Sequence, residues 1–344
     1  MSRAAGLAAA TPLVARTVLD LRAASDKYVS QTLLLAAGWH RHAAADAALE
    51  VHTIGGREPA VDALLREIGA GGDVMPPGRN DDFSPSSNKI EAAGALSHRR
   101  RVLLLDNDVV ILGPLAGLAA LPADAIAAAV PGVVRVRDAQ WASIADGLGL
   151  PLLRRRWTPL NPRDDTDTAD DTSSCAAAPE RWLYLNSGVV LFPAGLDHRA
   201  TWLDHQRRIR DHFAAHPLGA GPVTSSDQAA FATSIAAHGR FAWLPLRFNY
   251  RSGAFRLGLE TAERIAIVHC TGHVDDAGLA VSARMDAYWE KHVWPRLARL
   301  SPAVADDEKA RRRDIAATVL AATRALARDY DLDARLAAYR RRRG

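Results

Sequence analysis

Two carboxylates one residue apart, Asp106 and Asp108, follow directly on the apolar run Val102-Leu103-Leu104-Leu105. Such a run reads as a short buried strand. Charges at its end must give up part of their hydration, and folding alone does not favour placing two together. A hard divalent cation compensates for the loss, and the same ion neutralises a bound diphosphate. The competing reading is a solvated turn centred on Asn107.

Three more places carry chemistry of this kind. In Tyr184-Leu185-Asn186-Ser187-Gly188-Val189-Val190-Leu191-Phe192 a small polar triplet sits inside an apolar run. A glycine within a strand marks either the close approach of a ligand or backbone, or a β-bulge. Asp227-Gln228 follows Thr224-Ser225-Ser226 and precedes Ala229-Ala230-Phe231. Those residues predict a helix start, with serine capping and Asp227 favouring the dipole, but they leave Gln228 without a structural task. Finally, Ile265-Ala266-Ile267-Val268 ends in His269. The histidine is either a packed core side chain or, at the end of a parallel strand, a ligand.

The elements that must position these residues alternate. Strands are expected at 16–21, 49–54, 73–75, 102–105, 184–192 and 265–269. Helices are expected at 28–39, around Val61, Leu64, Leu65 and Ile68, and at 88–96. Strands separated by helices predict a mainly parallel α/β sheet covered on both faces, with ligands beyond the carboxyl ends of its strands. From Ser301 the chain turns helical and charged. Ile315, Val319, Ala322 and Leu326 recur on one face, which predicts docking on the body. The division expected is therefore a catalytic domain over 1–300 and a C-terminal helical extension over 301–344, whose arginine run is a solvated tail.

At 344 residues the chain can bury a large core. The net charge of +4 is concentrated in Arg340 to Arg343, so the basic balance does not point to nucleic acid. Two lone cysteines, Cys175 and Cys270, build no disulfide framework. No apolar run approaches the roughly 18–20 residues of a membrane helix. A soluble, cytoplasmic protein is expected.

Taken in order, the motifs resemble the GT-A glycosyltransferases, and among them the retaining, family-8-like group of glycogenin, galactinol synthases and bacterial lipopolysaccharide galactosyltransferases. The matching residues are the helix at Tyr28, Asn88-Lys89-Ile90, Asp106-Asn107-Asp108, Asn186-Ser187-Gly188, Asp227-Gln228, Leu244-Pro245 with Asn249, and His269-Cys270-Thr271-Gly272. They span about residues 16 to 290. The resemblance implies a Rossmann-like GT-A sheet and transfer of a sugar from a nucleotide-diphosphate donor, with UDP as the expected nucleotide. It implies Asp106, Asp108 and His269 as ligands of Mn²⁺ or Mg²⁺. Asp26, Tyr28, Lys89, Asp106, Asn107, Ser187, Gly188 and Gly272 would hold the donor, and Asn186, Asp227 and Gln228 would line its reacting sugar. The acceptor class, whether sugar, lipid-linked or small molecule, is left open.

One departure stands out. Where the group carries a diphosphate-clamping lysine, this chain has His273-Val274-Asp275-Asp276. Arg251, Arg284 or His273 would have to supply that charge, or the leaving group is handled differently. The polar stretch Arg154 to Arg181 is expected to be a flap over the donor and acceptor, or else a surface insertion without a role. Two other functions fit parts of the sequence. One is a haloacid-dehalogenase-type phosphatase with Asp106 as nucleophile, and the other is a GT-A scaffold that binds without catalysing.

Overall fold

The computed structural model describes residues 13–22, 26–75, 88–93, 100–131, 136–157, 180–215, 227–251, 264–269, 290–291, 295, 298 and 302–343. Within them the strands are β1 Leu13–Asp20, β2 Ala47–Ile54, β3 Val74–Met75, β4 Arg101–Leu105, β5 Val109–Ile111 and β6 Ile126–Ala129. They continue with β7 Arg154–Arg156, β8 Glu180–Trp182, β9 Asn186–Phe192, β10 Phe241–Trp243, β11 Tyr250–Arg251 and β12 Ile267–His269. The main sheet runs β10-β6-β9-β4-β1-β2-β3. All its pairs are parallel except the two made by β9, which is antiparallel to both β4 and β6. A smaller sheet, β11-β12-β5, hangs off the end of β4. The mainly parallel α/β sheet expected from the sequence is thus observed, with one reversed strand inside it.

Period-two alternation divides the sheet between two cores. Leu103, Leu105, Val189 and Leu191 face one core, while Val102, Leu104, Val190 and Phe192 face the other. The first core is closed by α1 (Asp26–His42), α2 (Pro59–Glu67) and the C-terminal helices α7 (Pro302–Asp329) and α8 (Leu332–Arg343). The second is closed by the short α3 (Lys89–Ala92), α4 (Asp138–Leu148), α5 (Arg199–Ala214) and α6 (Asp227–His238). Helix α1 opens on Asp26 and ends on His40, Arg41 and His42, which complements its dipole at both ends. It packs so close to β5 that a Cβ on Gly38 would stand 2.8 Å from the Ile111 carbonyl oxygen.

Two expectations change. Ile315, Val319 and Leu326 do dock, but the arginine run is no free tail: it ends α8, where Arg340 pairs with Asp26 and Arg342 with Glu58. A run of arginines looks solvated in sequence because its acidic partners lie some 280 to 310 positions away. The polar stretch also has structure at its base. Strands β7 and β8 pair Arg154 with Trp182 and Arg156 with Glu180, and the Trp157 indole donates to the Trp182 carbonyl at 3.1 Å. Residues 158–179 lie outside the described residues. A cavity of about 270 Å³ opens at this base, with Trp141, Trp157 and Trp182 in its wall beside Arg154 and Glu180.

Candidate metal and donor site

The site grows from the end of β4. All five residues of β4 are buried, and its pairing with β9 extends one step further, the Asp106 N–H donating to the Gly188 carbonyl at 2.7 Å. The chain turns through Asn107 and Asp108 and re-enters as β5, which pairs antiparallel with β12 so that Val109 faces His269. That register sets the histidine against the two aspartates. The His269 Nε2 lies 3.2 Å from Asp108 Oδ1 and 3.8 Å from Asp106 Oδ2. His269 therefore ends a strand as expected, but the strand belongs to the small mixed sheet rather than to the main parallel one.

Behind Asp106 lies a buried ion cluster. Lys89, at the start of α3 and 8% exposed, donates from Nζ to Asp106 Oδ1 at 3.0 Å and to Ser187 Oγ at 3.0 Å, and stands 3.1 Å from Asp227 Oδ2. Ser187 in turn donates its hydroxyl to Asp227 at 2.7 Å. Burial alone would push the Lys89 ammonium down, but Asp106 and then Asp227 outweigh it and hold the group charged, above the usual lysine range. Burial pushes the Asp106 carboxyl up; Lys89 opposes the shift and Asp108 reinforces it. Helix α6 presents Asp227 at its N-terminus, where the dipole favours the carboxylate. The Trp202 indole fixes that end by donating to the Asp227 carbonyl at 3.1 Å.

Gly188 explains why the triplet must be small. A Cβ there would meet His269 Cε1 at 2.1 Å and Asp106 Oδ2 at 2.8 Å. The two readings of the glycine turn out to be compatible, because the β6–β9 register also shifts between Ala128 and Ala129, opposite Asn186. Asn186 is buried, and its Oδ1 accepts from the Gly188 N–H at 3.1 Å and from Asn249 Nδ2 at 2.8 Å.

The residues fit a divalent ion. Asp106, Asp108 and His269 each offer a ligand atom, all within 4.8 Å of one another. Ligand atoms about 2.1 Å from one ion stand roughly 3 Å apart when adjacent in an octahedral shell, close to the separations seen. The His269 Nε2 is buried, makes no hydrogen bond, and points at carboxylate oxygens. A buried nitrogen in that position is costly unless something binds it. Three carboxylates, Asp106, Asp108 and Asp227, share the site with the single ammonium of Lys89, an excess of acidic groups that a divalent cation would offset.

The fold brings together Lys89, Asp106, Asn107, Asp108, Asn186, Ser187, Gly188, Asp227 and His269, with Gln228 half-buried beside Asp227. Asp26 and Tyr28 lie on the first turn of α1, with Asp26 paired with Arg340 and Tyr28 39% exposed. Gly272, His273, Asp275, Asp276 and Arg284, together with the Arg251 side chain, lie outside the described residues. Sequence reasoning assigned no role to Asn249, which is fully buried and accepts from His269 Nδ1 at 3.0 Å.

By fold and site this is a mainly parallel α/β protein with a candidate metal centre at the end of a central strand, where such sheets bind ligands. The particular family follows from the sequence: the Rhodobacterales glycosyltransferase domain matches residues 23–239, more than half of the chain, and the chain belongs to that family. Residues 23–239 thus form a glycosyltransferase domain, which sets the phosphatase alternative aside. Similar solved structures include the glycosyltransferase GlyE of Streptococcus pneumoniae TIGR4, at 13% identity and TM-score 0.45, covering 81% of this chain and 60% of that one. Mouse xyloside xylosyltransferase 1 shares 15% identity at TM-score 0.43, with 75% and 97% covered. The galactosyltransferase LgtC, in complex with donor and acceptor sugar analogs, shares 15% identity at TM-score 0.43, with 81% and 95% covered. The chain thus spans about three-fifths of the GlyE chain it matches. No curated protein matches it in sequence. Among the described residues, no helix is long and apolar enough to cross a membrane.

Proposed function

We propose that the chain transfers a hexose from a nucleotide-diphosphate sugar, with UDP as the nucleotide, in a divalent-metal-dependent reaction that retains anomeric configuration. The observation that carries this reading is the buried, unpartnered His269 Nε2 held against Asp108 and Asp106. Asp106, Asp108 and His269 hold the ion; a nitrogen among oxygen ligands favours Mn²⁺ over Mg²⁺. When bound, the metal supplies charge stabilisation for the departing diphosphate.

The chain's own residues do the rest. Lys89 holds Asp106 and Asp227 in place, so neither must reorganise as positive character develops on the sugar. Asp227 and Gln228, at the head of α6, face the reacting sugar, and Asn186 supports them from beneath. Asn107, Ser187 and Gly188 shape the floor under the diphosphate, and Asp26, Tyr28 and Gly272 complete the donor contacts. The acceptor, a sugar, a lipid-linked sugar or a small molecule, enters beside the tryptophan-walled cavity at the base of the polar stretch. That cavity lies on the same edge of the sheet as the ion site, because α4 follows β6 and β8 leads within four residues into β9. A cytoplasmic site of action fits the donor.

The test is a panel of nucleotide sugars incubated with the protein, with and without Mn²⁺. Release of nucleoside diphosphate that needs Mn²⁺ and is lost in Asp108→Asn supports the reading. If no donor is turned over while the variant and the wild type bind nucleotide alike, the chain is a binding scaffold.

A further inference from the structure

The cavity at the base of the β7–β8 hairpin, about 270 Å³ in volume, has walls that are held in place from behind. Trp157 is 3% exposed, and its N–H is taken up by the Trp182 carbonyl at 3.1 Å, so its indole has no polar group left to offer. Trp141, on α4 and 1% exposed, packs edge-on against Tyr184 with ring centroids 6.1 Å apart. Trp182 is half-buried and carries the Arg154 guanidinium over its ring, 4.4 Å from the centroid. The hairpin is fastened one step past its ladder, where the Leu183 N–H donates to the Leu153 carbonyl at 2.7 Å. Little ordering is left for a ligand to impose.

The rim is polar. Asp138 opens α4 and Glu180 opens β8, while Arg154 and Arg181 stand beside them. Two carboxylates against two guanidinium groups leave the rim balanced, so it selects neither an anion nor a cation. An alkyl chain fits no better, because it would desolvate charged side chains without bonding to them. What matches is a ring with carbon–hydrogen faces for the indoles and adjacent hydroxyls for the planar forks. A carboxylate accepts from two neighbouring O–H groups, and a guanidinium donates to two neighbouring oxygens. The volume lies just under the roughly 300–1,000 Å³ of pockets for drug-sized ligands, which leaves room for one such ring.

The cavity also stands near the ion site. From Trp182 the chain runs directly into β9, and the four steps to Asn186 span at most about 14 Å. Asn186 is bonded to the Gly188 amide, where the strand passes His269 and Asp106. We infer that the cavity is a carbohydrate subsite that holds one neutral pyranose ring of the acceptor. Glu180 and Arg154 bind its hydroxyls, and the indole wall meets its carbon face. This rests on the transferase reading given above for the ring's role as acceptor; the fit to a sugar is independent of it.

The experiment measures sugar binding to the full chain without donor or Mn²⁺. Methyl glycosides of glucose, galactose and mannose are titrated, with methyl glucuronide as the charged counterpart, and followed by saturation-transfer NMR and tryptophan fluorescence. At least one neutral glycoside is expected to bind with a Kd of about 1 mM, the affinity within reach of so small a ligand. Glu180→Gln should weaken it by about tenfold or more, since a hydrogen bond to a charged group is lost, and Trp182→Leu should weaken it likewise. No binding up to about 10 mM, a preference for the glucuronide, or binding that Glu180→Gln leaves at full strength overturns the subsite. Should Trp182→Leu not fold, Glu180→Gln decides alone. If these titrations fail while Mn²⁺-dependent release of nucleoside diphosphate is seen, the subsite falls and the transferase reading stands. Sugar bound as expected by a chain that turns over no donor upholds the carbohydrate site and sinks the donor reading instead.

Discussion

Gly188→Ala is the perturbation from which the site has least room to escape. The added carbon would stand 2.1 Å from His269 Cε1 and 2.8 Å from Asp106 Oδ2. Ordinary carbon contact begins near ~3.4 Å, so the ring must retreat by about 1.3 Å. It cannot do so freely, because it is 2% exposed and tied through Nδ1 to the buried Asn249. Nor can β9 recede, being paired on one side with β4 and on the other with β6. Overpacking of this size costs about 1–3 kcal/mol of stability. Its effect on a metal is much larger, because ligand distances tolerate only about 0.2 Å of error. The variant should therefore remain folded while Mn²⁺ affinity falls by at least roughly 10–100-fold. Calorimetric Mn²⁺ titration beside a denaturant unfolding curve measures both. Gly71→Ala, whose Cβ would meet nothing nearer than the Leu49 oxygen at 3.9 Å, is the control. A folded Gly188→Ala protein that binds Mn²⁺ as tightly as wild type would refute the claim that His269 is a ligand.

Two further outcomes follow from the buried charges. Lys89→Met strands Asp106 and Asp227, so the metal-free protein should lose about 3–5 kcal/mol, with part recovered when Mn²⁺ is added; unfolding curves with and without the ion read this, and an unchanged stability would deny the cluster its role. His198 is 2% exposed; burial, helped by His238 and His205, holds its imidazole down to about 3. Its folded pKa lies below the unfolded value, so its contribution is intact above about 6.5 and is lost as the pH falls toward 3, by about 2 kcal/mol at pH 5. His198→Phe, which keeps the ring against Phe192 and Phe231, should flatten that slope in pH-dependent unfolding, and an equally steep slope would rule His198 out as its source.

The sequence showed the site where the signal was local. Val102 to Asp108 could be read because an apolar run ending in two carboxylates conflicts with folding unless an ion resolves it. The docking face of α7 was legible through its helical spacing. What escaped were the features fixed by partners distant in the chain. Strands β5 and β11 have two or three residues each, too few for periodicity, and although a strand ending in His269 was expected, its pairing with β5, which carries His269 to Asp108, was not. Lys89 was expected to contact the donor, but its anchoring by Asp106 and Asp227 depends on α3, β4 and α6 meeting. The reversal of β9 left no mark, since a strand buried on both faces reads alike in either direction. Asn249 was legible only as part of the Leu244-Pro245…Asn249 match, and its bond to His269 depends on a meeting of β11 and β12 that no local pattern shows.

The central claim, that Asp106, Asp108 and His269 form one divalent-ion site serving a nucleotide-diphosphate donor, is tested most directly by anomalous diffraction from crystals grown with Mn²⁺ and UDP. The account predicts one manganese peak within about 2.3 Å of an oxygen of each aspartate and of the His269 Nε2, with diphosphate oxygens completing the shell. A peak elsewhere, or bound UDP with no manganese between these three residues, would contradict it.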